Sequence, residues 1–334
     1  MLSTDRAIAE IEEICGRDIQ HRNIGPLVSY ARGSLAAASA SIAAHPNPCI
    51  AVITGFFLCH GEPPNCETDG PPGAAMLAAG FDAIGIACRI ATDLLNAPVM
   101  RATLAGGGLA GIPLDVIALG SEDAGKALPL ETVRGAWLSA TPPISHVIAI
   151  ERCGPGRDGR ARNALGEDIS SYHAPLERLF LAGPWTTIGI GDLGNEIGMG
   201  SLPQDLVAAS VPNGREVWCS VASDHPIVAG VSNVAAAALL GSLALLRPSW
   251  APRLLGRLMP SFAYRLLHAA VHDGFAVSGA RNGEPPRPSL AVDGIPWDVL
   301  AEVYRQIYDI CRAASEITGL AELRIANGSS AGLR

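Results

Sequence analysis

Apolar positions along this chain recur in two rhythms. Ile8, Ile11 and Ile14 fall at helical spacing behind Thr4 and Asp5, either of which can cap a first helix. Helical patterning also covers residues 26–44, which are alanine-rich, and a stretch opened by Pro71 or Pro72 that runs through Ala79 and closes near Gly85. It returns after Asp93 and over residues 227–246, 252–271 and 297–317. Short continuous apolar runs lie between these at residues 49–53, 86–91, 114–119, 146–150, 186–190 and 217–222. Such runs read as buried strands. Strands alternating with helices predict an α/β fold, a layered and largely parallel sheet flanked by helices. The expectation is one domain over residues 1–334, with a subdivision near residue 140 as the alternative. The Gly- and Pro-rich stretch 279–288 reads as a surface loop.

Composition narrows the function classes. The 334 residues are 49% hydrophobic, 17% charged and carry a net charge of -8, so a folded core is expected and a nucleic-acid footprint is not. Lys126 is the single lysine, followed by Ala127; this excludes a phosphate-binding Gly-Lys-Ser/Thr loop and leaves no convincing Schiff-base lysine. The eight cysteines show no Cys-x-x-Cys spacing and several sit in apolar runs, as buried thiols in a reducing compartment do. Nothing beside Cys59 or Cys66 marks an activating pair. The opening Met-Leu-Ser-Thr-Asp does not read as a signal peptide, and the apolar run 234–246 is too short to span a bilayer. A cytoplasmic protein without a membrane partner is the expectation.

Residues 189–200 carry the strongest chemical signal: Gly-Ile-Gly-Asp-Leu-Gly-Asn-Glu-Ile-Gly-Met-Gly. Glycine permits φ > 0 and close backbone approach at an entropic cost, so a glycine run seeded with acids suits a ligand site. Thr54-Gly55 and Glu67-Thr68-Asp69-Gly70-Pro71 have the same character. On the strand assignment above, each apolar run is followed by a carboxylate: Glu67 and Asp69, Asp93, Glu151, Asp192 and Glu196, and Asp224. Carboxyl ends of parallel strands are where ligands bind in open α/β sheets. Converging carboxylates repel unless they share a proton or a cation, and all-oxygen donors favour Mg²⁺ or Mn²⁺. The competing explanation is helix capping, which is preferred for Asp93. Among the histidines, His268 and His272 stand at i, i+4 without a general-base glutamate between them, while His60 and His225 lie in candidate site loops.

These segments resemble the D-glutamate cyclase family, in the form of the C-terminal domain of the mitochondrial enzyme and its stand-alone bacterial relatives. The blocks that carry the resemblance include Thr54-Gly55-Phe56, 67–71, Glu151-Arg152, Asp158-Gly159, Asn163, Asn195-Glu196-Ile197-Gly198-Met199-Gly200, Val231-Ser232-Asn233 and Val292-Asp293-Gly294. The resemblance implies a divalent Mn²⁺ or Mg²⁺ cofactor and cyclisation of D-glutamate to 5-oxo-D-proline with loss of water. With the strand-end placement of the acids, the expected catalytic groups are Glu67, Asp69 and Asp224, and the expected residues around the metal are Glu151, Asp192, Asn195 and Glu196. Thr54, Gly55, Thr68, Gly70, Arg152, Asn163, Ser232 and Asn233 are then expected to bind substrate.

Three departures accompany it. Leu193 stands where the family pattern has glycine, Ala161 and Leu165 where it has tyrosine and arginine, and Val234-Ala235-Ala236 where it has Trp-Gly-Gly. The acids are kept and neighbouring positions change, which points to a divergent member with an altered substrate. The expected partner is a small acidic amino acid or related carboxylate, and a homo-oligomer is the one protein partner the reading admits. The alternatives are a metal-assisted hydrolase or lyase on another small carboxylate, and a non-catalytic metal-binding homologue.

Overall fold

The computed structural model describes residues 3–123, 125–279 and 284–329, with side chains up to residue 316. Six strands build one all-parallel sheet: β1 Cys49–Thr54, β2 Ala87–Asp93, β3 Leu114–Ile117, β4 His146–Ile150, β5 Thr186–Gly191 and β6 His225–Val228. Their order across the sheet is β3-β2-β1-β4-β5-β6. The chain winds outward from β1 to β3, then returns to the other side of β1 and winds the opposite way. Sheets with such a reversal bind ligands beyond the carboxyl ends of the two strands that flank it, here β1 and β4. In the register between them Thr54 pairs with Ile150, so the loops after both strands leave side by side. Residue 140 falls between β3 and β4 of this one sheet.

The predicted layering is observed, and the strands at residues 49–53, 86–91, 114–119, 146–150 and 186–190 form where expected. The first helix, Thr4–Cys15, is capped by Ser3, whose hydroxyl accepts from the Arg6 N–H, and it buries Ile8, Ile11 and Ile14. Helix Ser232–Leu246 buries every residue but its last and packs against Pro71–Ala83 and Ser34–Ala44. An all-round apolar helix belongs in an interior, and this one fills the layer on one face of the sheet. A second core cluster, with Ile53, Val147, Trp137 and Phe180, covers the other face.

Local chemistry corrects several boundaries. The 26–44 stretch is two helices, Gly25–Tyr30 and Ser34–Ala44, parted where Gly33 takes φ 90°. Residues 252–271 divide into Ala251–Leu258 and Pro260–His272 because Pro260 cannot continue a helix. The 217–222 run is not a strand. Its backbone is taken up by loops: Cys219 N–H donates to Gly194 O, Ser220 N–H to Pro155 O, and Val221 O accepts from Gly198 and Gly200. The strand comes later, at His225–Val228, and helix Ser232–Leu246 begins after it. Of the expected 279–288 loop, residues 280–283 lie outside the described residues.

Candidate active site

Four loops converge above the carboxyl ends of β1, β4 and β5. The loop after β1 passes through a short hairpin, Phe57–Leu58 with Asn65–Cys66, and descends to Asp69. Both Asp69 oxygens are held by the first turn of helix Ser232–Leu246: Oδ1 accepts from Asn233 N at 2.7 Å and Oδ2 from Ser232 N at 2.8 Å. Asn233 in turn staples the loop, its Oδ1 accepting from Gly70 and Gly73 N–H and its amide donating to Thr68 O. Gly70 sits at φ 95°, and a Cβ there would lie 2.8 Å from Thr54 Oγ1 and 2.9 Å from Glu151 Cβ. No other residue lets the three segments approach this closely.

Glu151 directly follows β4 at φ 43°, a left-handed conformation that strains a non-glycine residue. Its Oε2 accepts from the Ser232 hydroxyl at 2.6 Å. Asp192 follows β5 in the glycine run. Glu196 folds back over that run, its carboxylate accepting from the N–H groups of Asp192, Leu193 and Gly194 at 2.8–3.0 Å. Gly191 is required beneath it, since a Cβ would meet the Glu196 carboxyl at 2.6 Å. The acid within the glycine loop is thus the anion that folds it.

Asp69, Glu151 and Asp192 are buried, and each offers an oxygen within 4.8 Å of the other two. Glu67 and Asp293 lie beside them; burial and then the charge of Asp293 raise the Glu67 pKa, while Asp293 is lowered because Arg22 outweighs its burial. Among the described residues, one guanidinium faces this group: Arg22 Nη2 contacts Asp192 at 2.5 Å and Asp293 at 3.1 Å. It is set there by Asp18, whose carboxylate gathers the N–H groups of Arg22, Asn23 and Ile24.

One cation does not balance so many carboxylates. Burial pushes Glu67 and Glu151 well above the ordinary carboxylate range, and neighbouring acids add to it. Asp192 is raised well above it by burial against the pull of Arg22. Asp69 is pushed up to about 8 by burial and the charge of Asp293, against three N–H donors. Asp293 alone is lowered: burial raises it, but Arg22 and hydrogen bonds outweigh that. Protons or a cation must occupy this cluster near neutral pH. An all-oxygen donor set with buried, under-neutralised charge fits a hard divalent ion. The Thr54 and Thr68 hydroxyls, buried and without a hydrogen-bond partner, add oxygen donors to the same loops.

A cleft of about 890 Å³ opens over the cluster, lined by Glu67, Glu151, Asp192, Asn195, Asp293 and Arg22 at its floor. Of the residues expected to bind substrate, Asn163 lines it, while Thr54, Gly55, Thr68, Gly70, Ser232 and Asn233 lie buried behind the floor as scaffold. Arg152 is placed otherwise than expected. It is fully buried and donates to Asp93 at 2.6 Å, Gly55 O at 2.8 Å and Ala174 O at 2.6 Å, a strut rather than a substrate contact. Asp93 also accepts from the Asn96 N–H in the turn before helix Ala97–Gly106, whose N-cap residue is Asn96, so the capping explanation does not describe its role. Asn195 lines the cleft with its amide on Arg162 O, and the Glu196 oxygens are given to loop backbone.

Asp224 requires correction. It precedes β6 instead of following a strand, and its carboxylate accepts from Thr187 N–H and hydroxyl near the start of β5, at the amino edge of the sheet. Asp293 appeared in a matched block without a role, although its Asp-Gly turn with φ 51° was a signal of constraint. Arg22 carried no signal. It lies 170 residues from its partner Asp192.

Comparison with known proteins agrees with this arrangement. The family described as D-glutamate cyclase-like, C-terminal, matches residues 11–308. The human mitochondrial D-glutamate cyclase is 32% identical over 254 residues, which span 73% of this chain and 40% of that protein. The chain therefore corresponds to about two fifths of that relative's length. With 11–308 matched and the acidic blocks brought together at one sheet edge, the chain belongs to the D-glutamate cyclase-like C-terminal family.

Proposed function

We propose that this chain, as one α/β unit, is a divalent-metal-dependent cyclase of the hydro-lyase class. In this reading it closes an acidic amino acid of the D-glutamate type onto its own side-chain carboxyl, giving a 5-oxoproline and water. The observation that carries the reading is the buried Asp69–Glu151–Asp192 cluster at the point where the sheet reverses direction. A carboxylate is a poor electrophile until its charge is neutralised, and a Mn²⁺ or Mg²⁺ ion held by these three residues supplies that Lewis acidity.

The remaining work falls to the chain itself. The substrate amine arrives as an ammonium, which the acidic floor attracts, and it must lose a proton before it attacks. Glu67, whose pKa is raised by burial and by the charge of Asp293 beside it, is the group placed to exchange one. Arg22 holds Asp192 and Asp293 in place. Ser232, through its hydroxyl on Glu151, fixes that carboxylate's rotamer. Asn233 holds the Asp69 loop against the helix N-terminus, whose N–H groups favour the ionised carboxylate.

Chromatographic detection of 5-oxoproline from D-glutamate, with Mn²⁺, with Mg²⁺ and after chelation, tests the reading. Metal-dependent product that disappears in Asp192→Asn supports it. Metal binding without turnover of D-glutamate or its derivatives assigns the chain instead to a non-catalytic metal-binding role.

A further inference from the structure

The cleft is larger and more apolar than free glutamate requires. Its volume, about 890 Å³, lies in the range of pockets that bury drug-sized ligands. The floor is acidic, but the outer walls present Phe57, Leu58, Leu165, Leu193 and Pro285. Leu165 is 70% exposed, the highest among the exposed large hydrophobic residues described. Phe57 is stacked on Tyr172 with ring centroids 5.7 Å apart and planes 20° from parallel, which fixes it as a flat apolar wall.

Among the described residues lining the cleft, Arg22 is bound to Asp192 and Asp293, and His60 to Glu167 at 2.8 Å. A substrate with two free carboxylates would bring both charges over a floor of buried acids. A substrate whose reacting carbonyl is already neutral avoids that repulsion, and its substituent would bury against the apolar walls.

We propose that the outer cleft is a leaving-group subsite, and that the substrate is a glutamate-like amino acid whose side-chain acyl carbon carries an apolar amine or alcohol, as a γ-amide or γ-ester does. This rests on the cyclase reading of the inner site. The α-amine attacks the side-chain carbonyl carbon, the new C–N bond closes the lactam, and the bond from that carbon to the substituent breaks. Of the ammonium hydrogens, one stays on the lactam nitrogen, one reaches the departing amine or alcohol, and one passes to solvent through the site carboxylates. No oxidant, reductant or further reactant is needed.

The test offers the Mn²⁺-loaded full chain glutamate γ-p-nitroanilide and free glutamate, both as D- and L-forms, following p-nitroaniline by absorbance and 5-oxoproline by chromatography. We expect kcat/KM for one anilide to exceed that for the better free glutamate by at least ~10-fold, the lower scale for filling an apolar pocket. Phe57→Ala should raise KM for the anilide and leave that for glutamate unchanged. Leu165→Arg, at an exposed position that tolerates the change, should lower anilide turnover and raise glutamate turnover. Free glutamate cyclised as well as the anilide overturns the subsite while leaving the cyclase reading intact. Nitroaniline released with glutamate instead of 5-oxoproline overturns it in favour of hydrolysis. No 5-oxoproline from any of the compounds overturns both readings.

Discussion

Asp192→Asn separates a metal centre from a cluster of proton-sharing acids. The substitution keeps the shape of the side chain and removes one charge from a group whose oxygens lie within 4.8 Å of one another. Two ionised carboxylates at that spacing repel by about 3.5 kcal/mol at an effective dielectric of ~20. In metal-free protein, losing Asp192 relieves two such contacts, about 7 kcal/mol, and gives up the ion pair with Arg22 at 2.5 Å, about 6.6 kcal/mol on the same scale. A divalent ion at a coordination distance of ~2.2 Å attracts that same carboxylate by about 15 kcal/mol on the same scale. The ion therefore loses more than the acids gain.

The asparagine oxygen and water recover part of that difference, so the range for a broken buried charge pair, about 2–5 kcal/mol, is the better guide. It corresponds to Mn²⁺ binding weaker by about 30-fold to several thousandfold. Calorimetric titration of chelated protein reads the affinity, and thermal unfolding of the same samples reads the apo state. The two should part: Asp192→Asn binds Mn²⁺ less tightly, yet its metal-free form melts close to the wild type, because the relieved repulsion and the lost Arg22 pair nearly cancel. Equal Mn²⁺ affinity in both proteins refutes the metal assignment.

Three further outcomes follow from the same geometry. Asp69→Asn should lower kcat by at least ~10²-fold in the 5-oxoproline assay while circular dichroism stays unchanged; full turnover reduces the loop to a structural turn. Glu67, Asp69, Glu151 and Asp192 have raised folded-state pKa values, that of Asp69 about 8, so the native state binds more protons than the unfolded chain between about pH 4 and 8. Stability of chelated protein should then fall as pH rises through that window, with Asp293 opposing weakly, and the Mn²⁺-induced rise in Tm should be larger at pH 8 than at pH 5; a flat chelated profile contradicts the charge count. Arg152→Met should cost about 3–5 kcal/mol in urea unfolding, because Asp93 is left buried and unpaired, whereas Asp224→Asn should leave turnover unaltered; an Arg152→Met protein of wild-type stability with raised KM would restore Arg152 to the substrate.

The alternation of apolar runs and helices was legible because both layers of the sheet are dry, and dry strands must be apolar throughout. The acids were legible because they follow those runs. Legibility failed where an apolar segment was buried by something other than the sheet. Residues 217–222 are apolar because Trp218 and Cys219 pack against the glycine run and its surroundings, with Trp218 Nε1 on Leu202 O, and periodicity cannot distinguish that from a strand. Reading a strand there carried Asp224 to the wrong edge. Arg152 failed for a related reason: a charged residue beside an acid block reads as a ligand contact, and only the fold shows Asp93 buried beneath it. Arg22 was invisible because its role depends on Asp18 folding a loop far from Asp192 in sequence.

The glycines and the acids of this site turn out to be one device. Glu196 needs bare backbone to fold back over Asp192, Leu193 and Gly194, and Glu151 needs Gly70 to approach within a side chain's width of Thr54. Gly70 removes a Cβ that would hold two carboxylate-bearing segments apart, Gly191 one that would meet the Glu196 carboxyl of its own loop, and each close approach raises the repulsion among the acids. Folding the loops therefore creates a charge problem that Arg22 only partly answers. What answers the rest decides the chemistry. Protons at low pH make the cluster inert, since a protonated floor neither attracts an ammonium nor takes a proton from it. On the proposed reading, a divalent ion near neutral pH would keep Asp69, Glu151 and Asp192 ionised and leave Glu67 to take up a proton. On this argument the strain at Glu151 and the crowding at Gly70 are tolerated because they keep the three oxygens of Asp69, Glu151 and Asp192 at a spacing that a cation can span and a hydrogen-bonded network of neutral acids cannot fully satisfy.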